Sequence, residues 1–459
     1  MRDYNIHSRQ FYVSFLMLFL RRFEGFANQK VLLLWICITI LIYNFAGLFN
    51  SAIYTHRALK EYVGIRNVLS GDASGYYVYL PSLFVYGFDS KRFPDSIDVK
   101  IGNGFNLLNN GKVATKYPHG TALCISPFFL TSKMFDEDDS GFSPLSHLSV
   151  RIAGVFYACL GMLFAFLLLA KYAHPFLALL CVGFMFYGTN IYYYTLVCPG
   201  YSHIFSFGLI TTLFYFLCDS SYFLKFRYCL LVIILLSLIV AVRPINAAFL
   251  FILLFFNFES LKTIAATLLS SKGWKKVGLI FLFLVITVLP RVLYNTYLTG
   301  TIYSEYYPGE PFLNINKPRI DIVLLSANNG LFFYTPIFLI ILFSMFVYAN
   351  SHLKKGIILI ALFSAIAVVY GAWWIPSLGC GFSHRAFVDF TAVFMLPFVI
   401  VLGNWQKSSR YGSILAIALL ALLSCYYTQQ LLKFWWYCFY GANDYDYNKT
   451  FTDLINSLK

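Results

Sequence analysis

Long apolar runs recur along nearly the whole chain, and they limit what it can fold into. They are Val31–Leu48, Ser149–Ala170, Pro175–Tyr192, Tyr201–Cys218, Tyr228–Val242, Pro244–Phe256, Val277–Pro290, Leu331–Tyr348, Gly356–Trp374, Phe387–Leu402 and Tyr411–Tyr427. A hydrocarbon core ~30 Å thick takes about 20 apolar residues to cross as a helix, and several runs approach that length. In lipid every backbone N–H and C=O needs an internal partner, so spans without charge are helical. Residues are 59% hydrophobic and only 12% charged, which excludes an ordinary soluble protein. The expectation is an all-α polytopic membrane protein with about eleven crossings, forming one domain over 1–459. The runs Tyr228–Val242 and Pro244–Phe256 are short and divided by Arg243-Pro244, so they also read as one broken helix. Phe11–Leu20, flanked by Arg9 and Arg21-Arg22, is too short to cross and reads as an interfacial helix. No small-residue cleavage site follows it, so no cleaved signal peptide is expected.

The basic residues set an orientation. With the N-terminus inside, Arg21, Arg22, Lys30, Lys171, Lys225, Arg227, Lys262, Lys275, Lys276, Lys354, Lys355, Lys407 and Arg410 fall on the cytoplasmic side, while the Tyr193–Gly200 loop carries no Lys or Arg. The formal charge of +14 is therefore a topology signal, and it is spread over too many loops to form a nucleic-acid patch. Residues 50–147, 291–330 and the tail 429–459 then lie outside. Cysteines show no metal-ligand spacing, and a disulfide stays open.

The first outer segment carries two candidate interfacial helices, Asp72–Tyr86 and Gly120–Met134. Asp72 sits in Gly71-Asp72-Ala73-Ser74-Gly75-Tyr76-Tyr77, a carboxylate among small residues and tyrosines. Such a residue just outside a membrane suits a general base, with Tyr76 and Tyr77 offering flat faces to sugar rings. It equally suits a helix N-cap. Cations gather at the same side: Lys116, Arg151, Arg243, Arg291 and Arg385 all fall at outer ends of spans or in the first loop. Intramembrane charges are expensive and tend to face a cavity or partner, and converging cations suit a phosphate or pyrophosphate. Taken singly, Arg385 reads as a partner for Asp389, and Arg151 as a snorkelling side chain. His119, His203 and His384 are weaker candidates for ligand contact, since a lone His near a helix end is more often structural. Asp136-Glu137-Asp138-Asp139 is an acidic run that suits a cation but reads more readily as a solvated turn. There is no Walker A loop, dinucleotide-binding turn or His-Glu-x-x-His, which argues against an ATP-driven pump and a zinc protease.

In order and placement these motifs resemble those of C-type (GT-C) membrane glycosyltransferases that take a sugar from a polyprenyl phosphate. The likeness is to the bacterial branch related to protein O-mannosyltransferases and to the aminoarabinose transferase of lipid A, and it covers roughly Val31 to Leu402. The resemblance implies a GT-C helical bundle with Asp72 as the catalytic carboxylate. Lys116-Tyr117-Pro118-His119 stands near the donor as a looser form of the Lys-Pro-Pro element, with Arg151 opening the second span and Arg243-Pro244 at a span break. Tyr294-Asn295-Thr296-Tyr297-Leu298-Thr299-Gly300, Asn329-Gly330-Leu331-Phe332-Phe333-Tyr334-Thr335-Pro336 and Gly381-Phe382-Ser383-His384-Arg385 look like one branch of bacterial members. Many relatives carry a second acidic residue after the third span. Here Tyr201, Ser202 and His203 stand instead, which favours a metal-independent mechanism without closing the question of a divalent metal.

The expected protein is a glycosyltransferase of the bacterial cytoplasmic membrane with a periplasmic site and C-terminus and no cofactor. Its donor is a polyprenyl-phosphate-linked sugar, held through Lys116, Arg151, Arg243 and Arg385. Its acceptor is a lipopolysaccharide, O-antigen or other lipid-linked glycan, met by Tyr76, Tyr77, His119, His203 and His384. A sugar-lipid synthase and a flippase are the expected partners, besides membrane lipid. The rivals are a flippase or exporter of a lipid-linked sugar, and an O-antigen polymerase or ligase.

Overall fold

A computed structural model describes residues 29–62, 69, 71–94, 97, 104–303, 307, 309–379 and 381–433. The expected interfacial helix Phe11–Leu20 and most of the tail 429–459 lie outside the described residues. Seven helices are long and apolar enough to cross a membrane: Val31–Thr55, Pro144–Leu169, Asn246–Ser270, Gly273–Thr299, Leu353–Ala372, Arg385–Lys407 and Tyr411–Lys433. Pro175–Gly188, Ser202–Leu217, Phe226–Val242 and Ile337–Ser351 are shorter apolar helices. The protein is an all-helical, multi-pass membrane protein, apart from one small hairpin among the described residues.

Burial sorts the helices into a centre and a rim. Residues Thr391–Gly403 of the helix Thr391–Lys407 are all buried. Pro144–Leu169 lies along Ser202–Leu217, and there a Cβ on Gly208 would stand 2.5 Å from the Tyr157 carbonyl oxygen. Such close backbone approach is how helices associate where hydrophobicity gives no driving force. Rim helices turn apolar side chains outward, including Tyr43 at 70% exposure, Phe281 at 66% and Leu423 at 62%. Water would not tolerate that surface, and lipid does.

Helix ends gather at two poles. At one, Asn257 and Ser260 both donate to the Leu217 carbonyl, and Lys171 lies over the Tyr215 ring, 4.1 Å from its centroid. At the other, the first loop folds over the ends of Ser202–Leu217, Phe226–Val242, Leu353–Ala372 and the turn Arg385–Phe390.

Three boundaries differ from the sequence expectation. Helix Asp72–Tyr77 continues through Tyr79–Pro81 into a π-helical turn, Ser82–Tyr86, so the first candidate helix forms with its geometry altered midway. A two-stranded antiparallel hairpin, Phe105–Leu107 with Val113–Thr115, interrupts the otherwise helical loop, pairing Phe105 with Thr115. Its turn signal, Asn109-Asn110-Gly111, is present in the sequence, and Gly111 takes φ +86°. The span expected to stop at Pro290 instead runs to Thr299, where left-handed Gly300 (φ 78°) caps it, so the second long loop starts later than residue 291. Pro290 lacks the N–H that would bond the Ile286 carbonyl. The π-turn Leu284–Val288 absorbs the misfit, and His119 Nε2 donates to the Ile286 carbonyl at 2.9 Å.

Candidate active site

Asp72 opens its helix through a backbone that only glycine adopts readily: Gly71 has φ 57° and ψ −135°. No side chain caps this terminus, so Asp72 is the first helical residue and not the N-cap. Both its oxygens are engaged elsewhere. Oδ1 accepts from the Tyr117 hydroxyl at 2.6 Å, and Oδ2 meets Arg385 Nη1 at 2.9 Å. The Asp72 side chain is 24% exposed and that of Arg385 16%, so the pair lines a surface that a substrate can reach.

The hairpin fixes Tyr117. Thr115 Oγ1 donates to the Gly75 carbonyl at 3.0 Å, and Gly104 N donates to Ser74 Oγ at 2.7 Å, stapling strand to helix. A Cβ on Gly75 would overlap the Tyr117 ring, so glycine lets the ring lie against the helix. Tyr294 and Tyr297, from the motif after Pro290, accept the backbone N–H groups of Thr115 and Val113, both at 2.7 Å. Lys116 pairs with Glu310 and lies between the Tyr117 and Tyr307 rings, 5.4 and 5.5 Å from their centroids.

Arg385 is fixed from the other side. Asn329, in the left-handed region at φ 66°, donates to the Ser377 and Gly379 carbonyls, and Thr335 bonds Ser383 at 3.0 Å. The guanidinium then lies over the Tyr201 ring, 5.5 Å from its centroid. The second and third family-like motifs thus tether the loop that carries Arg385.

Beneath this pair sits a buried network. Asp389 is 1% exposed and does not pair with Arg385, the bland sequence reading. Its carboxylate meets His203 Nδ1 at 2.8 Å, Arg243 Nε at 3.0 Å and Asn246 Nδ2 at 2.8 Å. Arg243 also donates to Ser202 Oγ at 3.2 Å, His203 Nε2 at 3.0 Å and Tyr370 Oη at 2.5 Å. Because Arg243 only donates, His203 Nε2 is the acceptor, and Nδ1–H donates to Asp389. Ser202 passes the network to Tyr76, 2.9 Å away.

Electrostatics leave Asp72 charged. Burial opposes ionisation, but Arg385, the Tyr117 hydroxyl and Lys116 outweigh it and hold the carboxyl below its ordinary range. Burial and the Asp72 charge push the Tyr117 hydroxyl far up, so Tyr117 remains a donor.

The expected site residues therefore divide. Asp72, Tyr76, Lys116, His203, Arg243 and Arg385 come together. Tyr77 faces away, donating to the Gly141 carbonyl at 2.5 Å and packing on Phe129 and Phe142. His119 braces the helix at Pro290, and His384 bonds the Pro376 carbonyl at 2.9 Å. Arg151, 2% exposed, donates to the Leu196 carbonyl at 3.1 Å, apart from the Asp72 pair. Tyr117, Glu310, Tyr370 and Asn246 join without having been singled out. Asn246 gave a signal, as an amide opening an apolar run; Tyr370 gave none. Among the described residues, no group of three or more His, Cys, Asp and Glu side chains is placed to hold a metal ion. No protein-family model matches the chain, and a search of curated proteins finds no match.

Proposed function

We propose that this chain is a membrane glycosyltransferase of the GT-C type. It would transfer a sugar from a polyprenyl phosphate to an envelope glycan on the periplasmic face of a bacterial cytoplasmic membrane. One observation carries the reading: a partly open carboxylate, Asp72, held in its charged form, lies against a guanidinium, Arg385, at the pole where the ends of several apolar helices meet. Counting the four shorter apolar helices with the seven long ones would give eleven crossings. With eleven crossings and the N-terminus inside, the starts of Ser202–Leu217 and Arg385–Lys407 and the ends of Phe226–Val242 and Leu353–Ala372 fall on one side. Their convergence at Asp72 supports that topology.

In the reaction the acceptor hydroxyl attacks the anomeric carbon and the bond to the phosphate oxygen breaks. The electron pair leaves with the lipid phosphate, and the hydroxyl proton passes to Asp72. Arg385 and Lys116 are the cations with access to that phosphate. Arg243 spends its donors on protein partners, so it acts as a positioning residue. A single base implies inversion at the anomeric carbon. The polymerase or ligase reading leans on catalytic His, yet all three candidate imidazoles are tied to structural partners.

Purified protein given labelled polyprenyl-phosphate sugars and a membrane glycan extract tests this. Asp72→Asn should lower transfer by ~10²–10⁴-fold while donor binding persists. A helix-capping or flippase role predicts a nearly silent substitution, because Asn caps as well as Asp and no proton moves.

A further inference from the structure

Arg385 has two claims on it. At rest its Nη1 holds Asp72 Oδ2 at 2.9 Å, and among the described residues its guanidinium meets no other acceptor and rests on the Tyr201 ring. During transfer the same cation is the best-placed group for the leaving phosphate. A carboxylate held by a full positive charge is a poor base, since protonating it strands the cation.

We propose that the Asp72–Arg385 ion pair is a latch: the phosphate of the bound lipid takes Arg385 from Asp72, and so turns Asp72 from a counterion into a base. This rests on the glycosyltransferase reading and adds an order to it, with phosphate first and deprotonation second.

The geometry suits an exchange. Arg385 is 16% exposed, so it needs an anion in either state, and carboxylate and phosphate are alternative partners for one fork. Its backbone cannot follow the ligand. Four residues on, Asp389 is gripped by His203, Arg243 and Asn246, and just before it Ser383 is tied to Thr335. Only the side chain is left to move. Asp72 does not lose its place when released, because Tyr117 still donates to Oδ1. When the sugar has moved and the lipid phosphate departs, Asp72 returns its proton to water and recovers Arg385. An acceptor arriving before the donor meets a masked base.

The test is direct binding of undecaprenyl phosphate to the full chain in nanodiscs, read by native mass spectrometry, with undecaprenol and inorganic phosphate as separate arms. Wild type should bind the lipid phosphate and not undecaprenol. Arg385→Ala should bind about tenfold more weakly. Asp72→Asn should bind about tenfold more tightly, since it removes the competing anion. In the Arg385→Ala background that gain should vanish. A gain that survives without Arg385 means simple charge repulsion, and an unchanged affinity in Asp72→Asn beside a weakened Arg385→Ala means no exchange; either overturns the latch and leaves the enzyme reading standing. Failure of every variant to bind the lipid phosphate sinks both. Should Asp72→Asn not yield monodisperse protein, Asp72→Ala carries the same expectation.

Discussion

Replacing Asp389 by Asn separates architecture from chemistry at this site. The Asp389 carboxylate is 1% exposed and lies within 3.0 Å of Arg243 Nε, 2.8 Å of His203 Nδ1 and 2.8 Å of Asn246 Nδ2. Two unit charges ~3 Å apart interact by roughly 5 kcal/mol at an effective dielectric of ~20. Asn keeps an acceptor oxygen but not the charge, so Arg243, only 12% exposed, is left uncompensated. Breaking a buried pair in this way costs about 3–5 kcal/mol. Arg243→Gln alone should cost a similar amount by stranding Asp389. The double variant buries neither charge, so its loss should fall short of the sum by about 2–3 kcal/mol. Unfolding in mixed micelles titrated with SDS measures all three. Arg385→Ala is the control: both partners of the Arg385–Asp72 pair are partly exposed, and its stability loss should stay within about 1–2 kcal/mol. If the two single losses simply add, the network is not a coupled unit and Arg243 is available to a ligand after all.

Other expectations follow from single contacts. Gly75→Ala should displace the Tyr117 ring and lower transfer at least tenfold in folded protein, whereas Gly183→Ala, with open space around it, should be silent in the same assay. His119→Ala should destabilise the protein by about 1 kcal/mol, through the hydrogen bond to the Ile286 carbonyl that it removes. Asp72 also sets a pH dependence. Its folded pKa is depressed by Arg385, Tyr117 and Lys116 against burial, so its stability contribution is complete above the unfolded value near ~3.9 and is lost as pH falls through the folded value. The acid limb of kcat/KM, which reports the free enzyme, should lie below the ordinary carboxylate range. The acid limb of kcat should lie higher, because Arg385 is then on the phosphate; coincident limbs would contradict the exchange.

Much of the helical architecture was legible because hydrocarbon enforces one rule on every span. Apolar length marks the seven helices long enough to cross, though several ends and the break of the Leu331–Tyr348 run at Thr335-Pro336 were misjudged. Pro290 read as a stop, yet a π-turn and a histidine from a distant loop carry the helix nine residues further, to Thr299. Nothing local in the sequence announces a carbonyl satisfied from residue 119. The site was half legible for a related reason. Charged residues in apolar surroundings are few, so Asp72, Arg243 and Arg385 stand out by their cost. Their pairing does not, because it depends on which helix ends meet. Asp389 is one turn from Arg385 in sequence, and proximity made it the natural partner; the fold gives it to Arg243 and His203 instead.

That exchange of partners decides what each arginine can do. By composition Arg243 and Arg385 look alike: one cation at the end of an apolar run. Arg243, itself 12% exposed, meets a carboxylate that is 1% exposed, a hydroxyl, an imidazole and a phenol, and a ligand phosphate would have to replace several of these at once. Among the described residues Arg385 meets one carboxylate, itself partly open to solvent, and one aromatic face. Giving up a single charge-assisted contact for another of the same kind is close to neutral, so a phosphate of ordinary affinity suffices. The inner pair therefore behaves as scaffold and the outer pair as the moving part. The short turn Arg385–Phe390 carries one member of each, which keeps the moving side chain in register with the scaffold that aims it.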